Sequence, residues 1–354
     1  MKSARLLLIA ILLITPTACT KIDQERGVWP RKTAAVWYAQ QGWLRGCNFI
    51  PSTAVNQLEM WQAATFDTTS ISRELGYAAG IGFNSVRVYL HHVAWQIDRE
   101  GFKNRIRTYL AIADRYKIST IFVFFDDCWK GVYRSGPQPA PLSGVHNSRW
   151  VQDPGRAIYS DVTLMDTLET YVKDILNAFG KDSRIVLWDL YNEPGNGVYT
   201  DSSLALLQRA FKWGRAVNPQ QPLSSAVWTL EAPEITNTQI ANSDVITYHN
   251  YSAPLYHRWM IRRLRSYGRP LICTEYMART LGSCFQNIMP ILKAENIGAY
   301  NWGLVAGKTN TIYAWETPIP DGSEPVLWFH DIFRKDGTAY DLEEIKVIKQ
   351  LSGK

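Results

Sequence analysis

The chain has 354 residues, enough for one large domain or two small ones, and its 46% hydrophobic and 12% aromatic content excludes a disordered protein. The formal net charge is +6 without any run of lysine and arginine, so a nucleic acid or an anionic surface is not indicated as a partner. The 14 tryptophans are unusual, because such amphipathic rings are favoured where a ligand is contacted as well as a core filled.

Residues 1–18 have the composition of a secretory signal peptide. Lys2 and Arg5 precede the apolar run 6–14, which is too short to span a bilayer, and small residues then lead to Cys19. The position of Cys19 resembles that of the lipidated cysteine in bacterial lipoproteins, although Pro16 is an unusual residue three positions before it. We therefore expect an exported, outer-membrane lipoprotein of the bacterial cell envelope. A cleaved signal with a periplasmic or secreted product is the alternative.

Strand and helix patterns alternate along the rest of the chain. Residues 19–42 are expected to form a tether and an N-terminal extension with a short helix near 33–41. Strands are predicted at 44–50, 84–90, 119–125, 185–190, 223–228, 245–249, 271–275 and 298–304. Helices are predicted at 68–79, 98–116, 161–181, 202–217, 233–241, 254–267, 282–294 and 342–351.

This alternation predicts one α/β domain at 43–354 with the architecture of a (β/α)8 or TIM barrel. A Rossmann-type sheet is disfavoured, because the glycine-rich turn that it needs after an early strand is missing. Two long loops, 126–160 and 305–326, interrupt the repeats, and insertions of that length are usually functional. In a barrel, chemistry is expected at the carboxyl ends of the strands.

The fourth predicted strand ends in a carboxylate, in the tripeptide Asn192-Glu193-Pro194. Pro194 has no N–H for a neighbouring strand and favours an extended conformation at Glu193. The side chain of Glu193 should therefore project beyond the sheet, where a catalytic acid would belong. A solvated loop acid is the alternative.

A second carboxylate, Glu275, ends the seventh predicted strand, which faces the fourth across the mouth of an eight-stranded barrel. Two facing carboxylates are what glycosidic hydrolysis needs: one protonates the leaving oxygen, and the other attacks the anomeric carbon or activates water. A salt bridge with Arg87 on the second strand is the alternative for Glu275. Both roles are compatible, because an arginine keeps a nucleophilic carboxylate ionised.

The other predicted strand ends are also polar or aromatic. They place at the same rim Asp126, Asp127, Trp228, His249, Tyr251 and Trp302. In order and strand position, the set resembles the clan A glycoside hydrolases, in particular the family 5 cellulases, mannanases and xylanase-like retaining β-glycosidases. The resemblance covers the barrel from 44 to 351.

The resemblance implies a role for each matching residue. The glutamate of Asn-Glu-Pro, Glu193, would be the acid/base, and Glu275 the nucleophile that forms a covalent glycosyl-enzyme. Asn192 would bind the sugar 2-hydroxyl. The remaining substrate-binding matches are Arg87, His249, Tyr251 and Trp302. No metal or organic cofactor is implied, and the cysteines after Cys19 lack metal-ligand or disulfide spacing.

One segment departs from that family, whose cellulases carry a histidine just after the third strand. Here the sequence is Asp126-Asp127-Cys128-Trp129, and we predict that Asp127 binds substrate hydroxyls, with a loop-capping role as the alternative. Asp189 inside the fourth strand is expected to form a structural hydrogen bond. Aromatic residues of the two long loops, such as Trp129, Trp150 and Trp315, are expected either to stack on sugars or to pin the loops.

The sequence thus predicts a monomeric retaining β-glycoside hydrolase that acts on a plant- or microbe-derived poly- or oligosaccharide. Two alternatives stay open. A transglycosylase would use the same residues and differ in whether sugar or water reaches the intermediate. A non-catalytic glycan-binding protein of the envelope would have no need for both glutamates.

Overall fold

The computed structural model describes residues 26–129, 132–159, 161, 163–197 and 200–354. The expected signal peptide and the lipid attachment at Cys19 lie outside these residues. Within the described chain, every helix is too short or too polar to cross a membrane.

Eight parallel strands of the described chain form the barrel predicted from the sequence. They are Arg45–Asn48 (β1), Ser85–Tyr89 (β2), Ser119–Asp126 (β3), Ile185–Asn192 (β4), Leu223–Ser224 (β5), Ile246–His249 (β6), Leu271–Tyr276 (β7) and Gly298–Trp302 (β8). The ladder runs in the order β5-β4-β3-β2-β1-β8-β7-β6. A parallel bridge between Val227 and Tyr248 joins its two edges and closes the ring.

Apart from the first, which precedes β1, the helices of the described chain follow the strands in turn and cover the outside of the barrel. They are Arg31–Gln41 (α1), Gln57–Trp61 (α2), Thr68–Gly80 (α3), His92–Ile97 (α4), Arg99–Arg115 (α5), Leu164–Phe179 (α6), Leu204–Val217 (α7), Pro233–Asn242 (α8), Pro254–Arg265 (α9), Phe285–Ala294 (α10) and Leu342–Ser352 (α11). Helix starts follow local capping chemistry, since Asp67 and Asp98 accept hydrogen bonds from backbone amides in the first turns of α3 and α5.

The barrel interior is layered. At the base, Ile121, Leu187, Ile272 and Tyr300 form an apolar cluster that Tyr38 of α1 joins, so the helix predicted in the N-terminal extension closes this end. Above the base, charged side chains replace apolar ones: Arg87, Asp189 and Glu275 are all at most 4% exposed. Burying charge is tolerated only when it is paired, which makes this upper layer a candidate site.

Most predicted elements differ from the structure by a few residues at their ends, and two of these differences bear on the site. The fifth strand was predicted at 223–228, yet its ladder covers only Leu223–Ser224 before the bridge at Val227. The fourth strand continues past Leu190 to Asn192, because Phe125 and Asp126 of β3 pair with it there. Consequently β4 carries Asn192 to the rim within the ladder, and Glu193 is the first residue outside it.

Candidate active site

A cleft of about 1280 Å³ lies at the carboxyl ends of the strands. Both predicted carboxylates, Glu193 and Glu275, line it, as do Asp126, Asn192, His249, Tyr251 and Trp302. The structure therefore brings together at one rim the residues that the sequence placed at strand ends.

Glu275 is held by three hydrogen-bond donors and is 4% exposed. Arg87 Nη1 donates to Oε1 at 2.7 Å, and the Tyr89 hydroxyl donates to the same oxygen at 2.8 Å. Tyr251 donates from its hydroxyl to Oε2 at 2.7 Å. A carboxylate held by a guanidinium and two phenols is fixed in orientation, and its charge is paired with that of the arginine.

Arg87 is fully buried and connects Glu275 to the strands around it. Its Nη2 donates to Asp189 Oδ2 and to Asn192 Oδ1, each at 2.7 Å, and its Nη1 also donates to Asn48 Oδ1 at 2.9 Å. Burial acts to lower the pKa of Arg87, but the surrounding Tyr89, Asp189 and Glu275 raise it well above its ordinary value. The structural hydrogen bond predicted for Asp189 is confirmed.

Glu193 stands on an unusual backbone. Its φ is +45°, in the left-handed region, so the extended conformation expected from Pro194 is wrong. Proline disfavours the right-handed helical region for the residue before it, and here the chain turns through the left-handed region instead. The turn is closed by hydrogen bonds from Asn196 N to Glu193 O at 3.0 Å and from Gly195 N to Asp127 Oδ2 at 2.7 Å.

Three side chains contact the carboxylate of Glu193. His249 Nδ1 lies 2.6 Å from Oε1, while Asn196 Nδ2 and Cys128 Sγ donate to Oε2 at 2.5 and 3.2 Å. Burial acts to raise the pKa of this carboxyl group, but the hydrogen bond and charge of His249, followed by the Cys128 and Asn196 bonds, lower it below its ordinary value. In the free protein these partners therefore favour the carboxylate.

The two carboxylates are close together. One oxygen of Glu193, one oxygen of Glu275 and a ring nitrogen of His249 lie within 4.8 Å of one another. His249 Nδ1 is 3.5 Å from Glu275 Oε2, so the imidazole lies between the two groups. Such a set could also coordinate a cation, and the expected absence of a metal cofactor stays a prediction.

The two aspartates after β3 have different surroundings. Asp127 accepts hydrogen bonds from Tyr191, Gly195 and Ser203, all within the protein, and is 3% exposed. These contacts are structural, but they hold β4 and the segment after it instead of the long loop after β3 that the alternative named. Substrate binding by Asp127 stays a prediction. Asp126 instead accepts a bond from Asn192 Nδ2 at 2.8 Å, directly beside the predicted 2-hydroxyl site. Burial raises the pKa of Asp126 to about 7.

Aromatic side chains form part of the cleft walls. Trp302 lines it and packs edge-on against Tyr89. Trp228 is fixed by a hydrogen bond from its Nε1 to Pro194 O at 3.0 Å. Trp129 is 43% exposed at the cleft and Trp315 packs edge-on against Tyr251, whereas Trp150 is buried. All three line the cleft, and Trp150 does so while packed against Tyr89 and Trp302.

A second group of metal-type side chains, His91, His92 and Asp153, lies outside the cleft and is buried. His91 Nδ1 accepts from Val93 N at the start of α4, and His92 Nδ1 is hydrogen bonded to Asp153. Tyr133 packs edge-on against both rings. These contacts give both histidines a structural role in hydrogen bonding.

Sequence reasoning did not assign a role to Tyr89, Cys128 or Asn196, which all contact a carboxylate of the pair. Tyr89 could have been found, because it lies two residues after Arg87 and therefore on the same face of β2. Cys128 and Asn196 lie in loops without periodicity, and nothing in their sequence context predicted that they meet at Glu193.

Fold and site together define a (β/α)8 barrel with a buried arginine network and two facing carboxylates at the catalytic end of the strands. The chain matches no protein-family model and no curated protein. Its fold is nevertheless shared with solved structures, several of them 12 to 16% identical in sequence.

Three of these structures illustrate the range. The exo-β-1,4-mannosidase Op5Man5 from Opitutaceae bacterium strain TAV5 is 15% identical with a TM-score of 0.60, over 88% of this chain and 59% of that one. GH5_18 from Streptomyces cattleya in complex with GlcNAc is 12% identical with a TM-score of 0.58, over 88% and 79%. The β-mannanase from the blue mussel Mytilus edulis is 16% identical with a TM-score of 0.54, over 88% and 92%. The expected likeness to family 5 is confirmed at the level of the fold.

Proposed function

We propose that the protein is a retaining β-glycoside hydrolase in which Glu193 is the acid/base and Glu275 the nucleophile. The observation that carries the proposal is the separation of the pair, with one oxygen of each carboxylate within 4.8 Å of the other. Retaining enzymes hold their carboxyl groups about 5 to 5.5 Å apart, whereas inverting enzymes need about 6.5 to 9.5 Å to admit a water molecule.

In the first step, a Glu275 oxygen attacks the anomeric carbon while the bond to the leaving oxygen breaks and Glu193 gives that oxygen its proton. In the second step, Glu193 takes a proton from water, whose oxygen attacks the same carbon, and the Glu275 ester bond breaks. In both displacements, protein side chains supply the acid/base and the group that forms and leaves the ester, and water is the attacking group in the second. The donors Arg87, Tyr89 and Tyr251 aim Glu275 and stabilise its charge when it leaves.

The acid/base must change its protonation during this cycle, and its surroundings suit that change. Its neighbours are an imidazole, a thiol and an amide, without a lysine or arginine bonded to it in the described chain. Asn192, whose amide is fixed by Arg87 and Asp126, is positioned to bind the sugar 2-hydroxyl.

Structural neighbours described as β-mannosidase and β-mannanase support a carbohydrate substrate. The first test is therefore a panel of 4-nitrophenyl β-glycosides of mannose, glucose, galactose, xylose and N-acetylglucosamine. We expect hydrolysis of at least one of them, and loss of about 10⁴-fold or more in kcat for Glu275→Gln, which keeps the shape of the side chain but cannot form the ester.

Azide distinguishes the two roles. With Glu193→Ala, azide should attack the glycosyl-enzyme and give a β-glycosyl azide, whereas with Glu275→Ala it should replace the nucleophile and give an α-glycosyl azide. Unchanged activity of Glu275→Gln would refute the mechanism. Glycan binding by the wild type without turnover of any substrate would favour a binding protein instead.

A further inference from the structure

The cleft is closed on one side of the barrel mouth. Its walls come from the segments that follow β3 to β8, and in the described chain the loops after β1 and β2 contribute no side chain to it. Since all eight strands end at this rim, something covers the ends of β1 and β2.

The cover is the segment 142–152 of the long loop after β3, which is fastened to the loop after β8. Asn147 N donates to Thr309 O at 2.8 Å, and Ile319 N donates to Gly144 O at 3.0 Å. His146 Nδ1 lies 2.7 Å from Tyr313 O. On the other edge, backbone carbonyls of the segment accept hydrogen bonds from the side-chain amides of Asn56 and Gln57, which follow β1. Hydrogen bonds to its backbone on both edges fix the cover as a wall of the cleft.

Trp150 is the part of the cover that faces the sugar site. It is 2% exposed, its ring contacts Tyr89 and Trp302 at centroid distances of 5.1 and 5.5 Å, and its Nε1 donates to Asp126 Oδ2 at 2.7 Å. Behind Trp150 and Trp302 lies a void of about 20 Å³. A space of about 10 to 15 Å³ holds a single water molecule, so no sugar ring fits beyond this wall.

The positions of the two glutamates determine which end of a glycan meets the wall. The leaving group departs beside Glu193, whose contacts Cys128 and Asn196 follow β3 and β4. The sugar that is attacked lies over Glu275, whose contacts Arg87 and Tyr89 are on β2. The glycone side is therefore the closed side, and the leaving-group side opens toward Trp228 and Tyr256.

We infer that the enzyme acts from the end of the chain: it binds one terminal non-reducing sugar against Trp150 and Trp302 and releases it as a monosaccharide. The inference rests on the proposed hydrolase function and adds that Trp150 determines exo specificity. Its substrates are glycans whose attacked sugar carries no further sugar on the glycone side.

The test compares matched aryl substrates on the wild-type protein. For the sugar that the panel identifies, 4-nitrophenol release from the β-monoglycoside should exceed direct release from the corresponding β-1,4-linked disaccharide by about 100-fold or more in kcat/KM, because steric exclusion of a whole ring surpasses that of one methylene. Direct release gives free disaccharide as the second product, and chromatography of the initial products separates it from removal of the terminal sugar followed by hydrolysis of the monoglycoside. Equal direct release from both substrates, with free disaccharide as the second product, would refute exo action and leave the hydrolase function intact. Hydrolysis of neither would refute the function itself.

Product length gives an independent readout. A pentasaccharide of the same sugar, labelled with 2-aminobenzamide at its reducing end, should shorten by one residue at a time. Labelled di- and trisaccharides present from the earliest time points would show internal cleavage and refute the inference.

The wall can also be opened. Trp150→Ala should join the void to the cleft and raise the disaccharide-to-monoglycoside ratio of kcat/KM by about 10-fold or more. Trp328→Ala is the matched control, because it also removes a buried indole from this end of the barrel, at a position away from the cleft. A ratio that changes equally in both folded variants would refute the role of Trp150.

Discussion

The two glutamates of the site differ in their backbone position and in the kind of side chain that is hydrogen bonded to each. Glu275 lies inside strand β7, and its donors are a buried guanidinium and two phenols. Glu193 lies just past β4 on a left-handed backbone, and its partners are His249, Cys128 and Asn196.

The difference corresponds to the proposed chemistry. A nucleophile must stay aimed and its charge must be balanced, which a permanent cation in a rigid strand network provides. An acid/base must gain and lose a proton in each cycle, which neutral or titratable neighbours permit. Substitutions around each glutamate should therefore have different consequences.

The largest effect should follow from loss of the buried cation. Arg87→Met leaves Asp189 and Glu275 without their buried counter-charge, and breaking such a pair from one side costs about 3 to 5 kcal/mol of folding free energy. Urea denaturation should show this loss, together with loss of turnover.

The control is Arg334→Met, which removes an exposed ion pair with Glu324 and should cost about 0 to 1 kcal/mol. If the two variants were equally stable, the buried charges of Asp189 and Glu275 would not depend on Arg87 for their balance.

An intermediate effect is expected on the pH profile. His249 contributes most to lowering the pKa of Glu193, and Glu193 must be protonated for the first step. Activity is lost as pH rises through that pKa. His249→Leu should raise the pKa and so move the alkaline limb of kcat/KM, which reports the free enzyme, to higher pH.

Tyr251→Phe is the comparison variant for this profile. It removes a donor from Glu275 and leaves the contacts of Glu193 in place, so the alkaline limb should stay where it is in the wild type. An identical shift in both variants would mean that His249 does not set the proton affinity of Glu193.

The smallest effect should come from the thiol. Cys128→Ala removes one weak hydrogen bond to Glu193, and a net contribution of about 0.5 to 1.5 kcal/mol corresponds to about a 2- to 12-fold change in kcat/KM. The alkaline limb should move in the same direction as for His249→Leu, but less. Cys284→Ala, outside the cleft, is the control. A loss as large as that of Glu275→Gln would assign Cys128 a direct role in the chemistry.

The barrel and the carboxylate pair could be predicted because both follow from local patterns. Strand and helix periodicity indicated eight repeats, and parallel strands of a barrel necessarily end at one rim, so Glu193 and Glu275 had to approach each other. Arg87 and Tyr251 followed from the same argument together with the family resemblance.

What the sequence could not predict depends on contacts between distant segments. Whether Asp126 or Asp127 faces Asn192 depends on how the turn at 193–195 packs against β3, and the left-handed φ of Glu193 belongs to that same turn. Cys128 meets Glu193, and Trp150 closes the glycone side, only because the loop after β3 folds back over the barrel.

The sequence by itself therefore determined the scaffold and the chemistry, since periodicity and strand ends are properties of the local chain. Only the tertiary structure decided the environment of each carboxylate and the shape of the cleft. Long loops carry no period from which their course could be inferred, and their positions are fixed by backbone hydrogen bonds such as those from Asn147 to Thr309 and from Ile319 to Gly144.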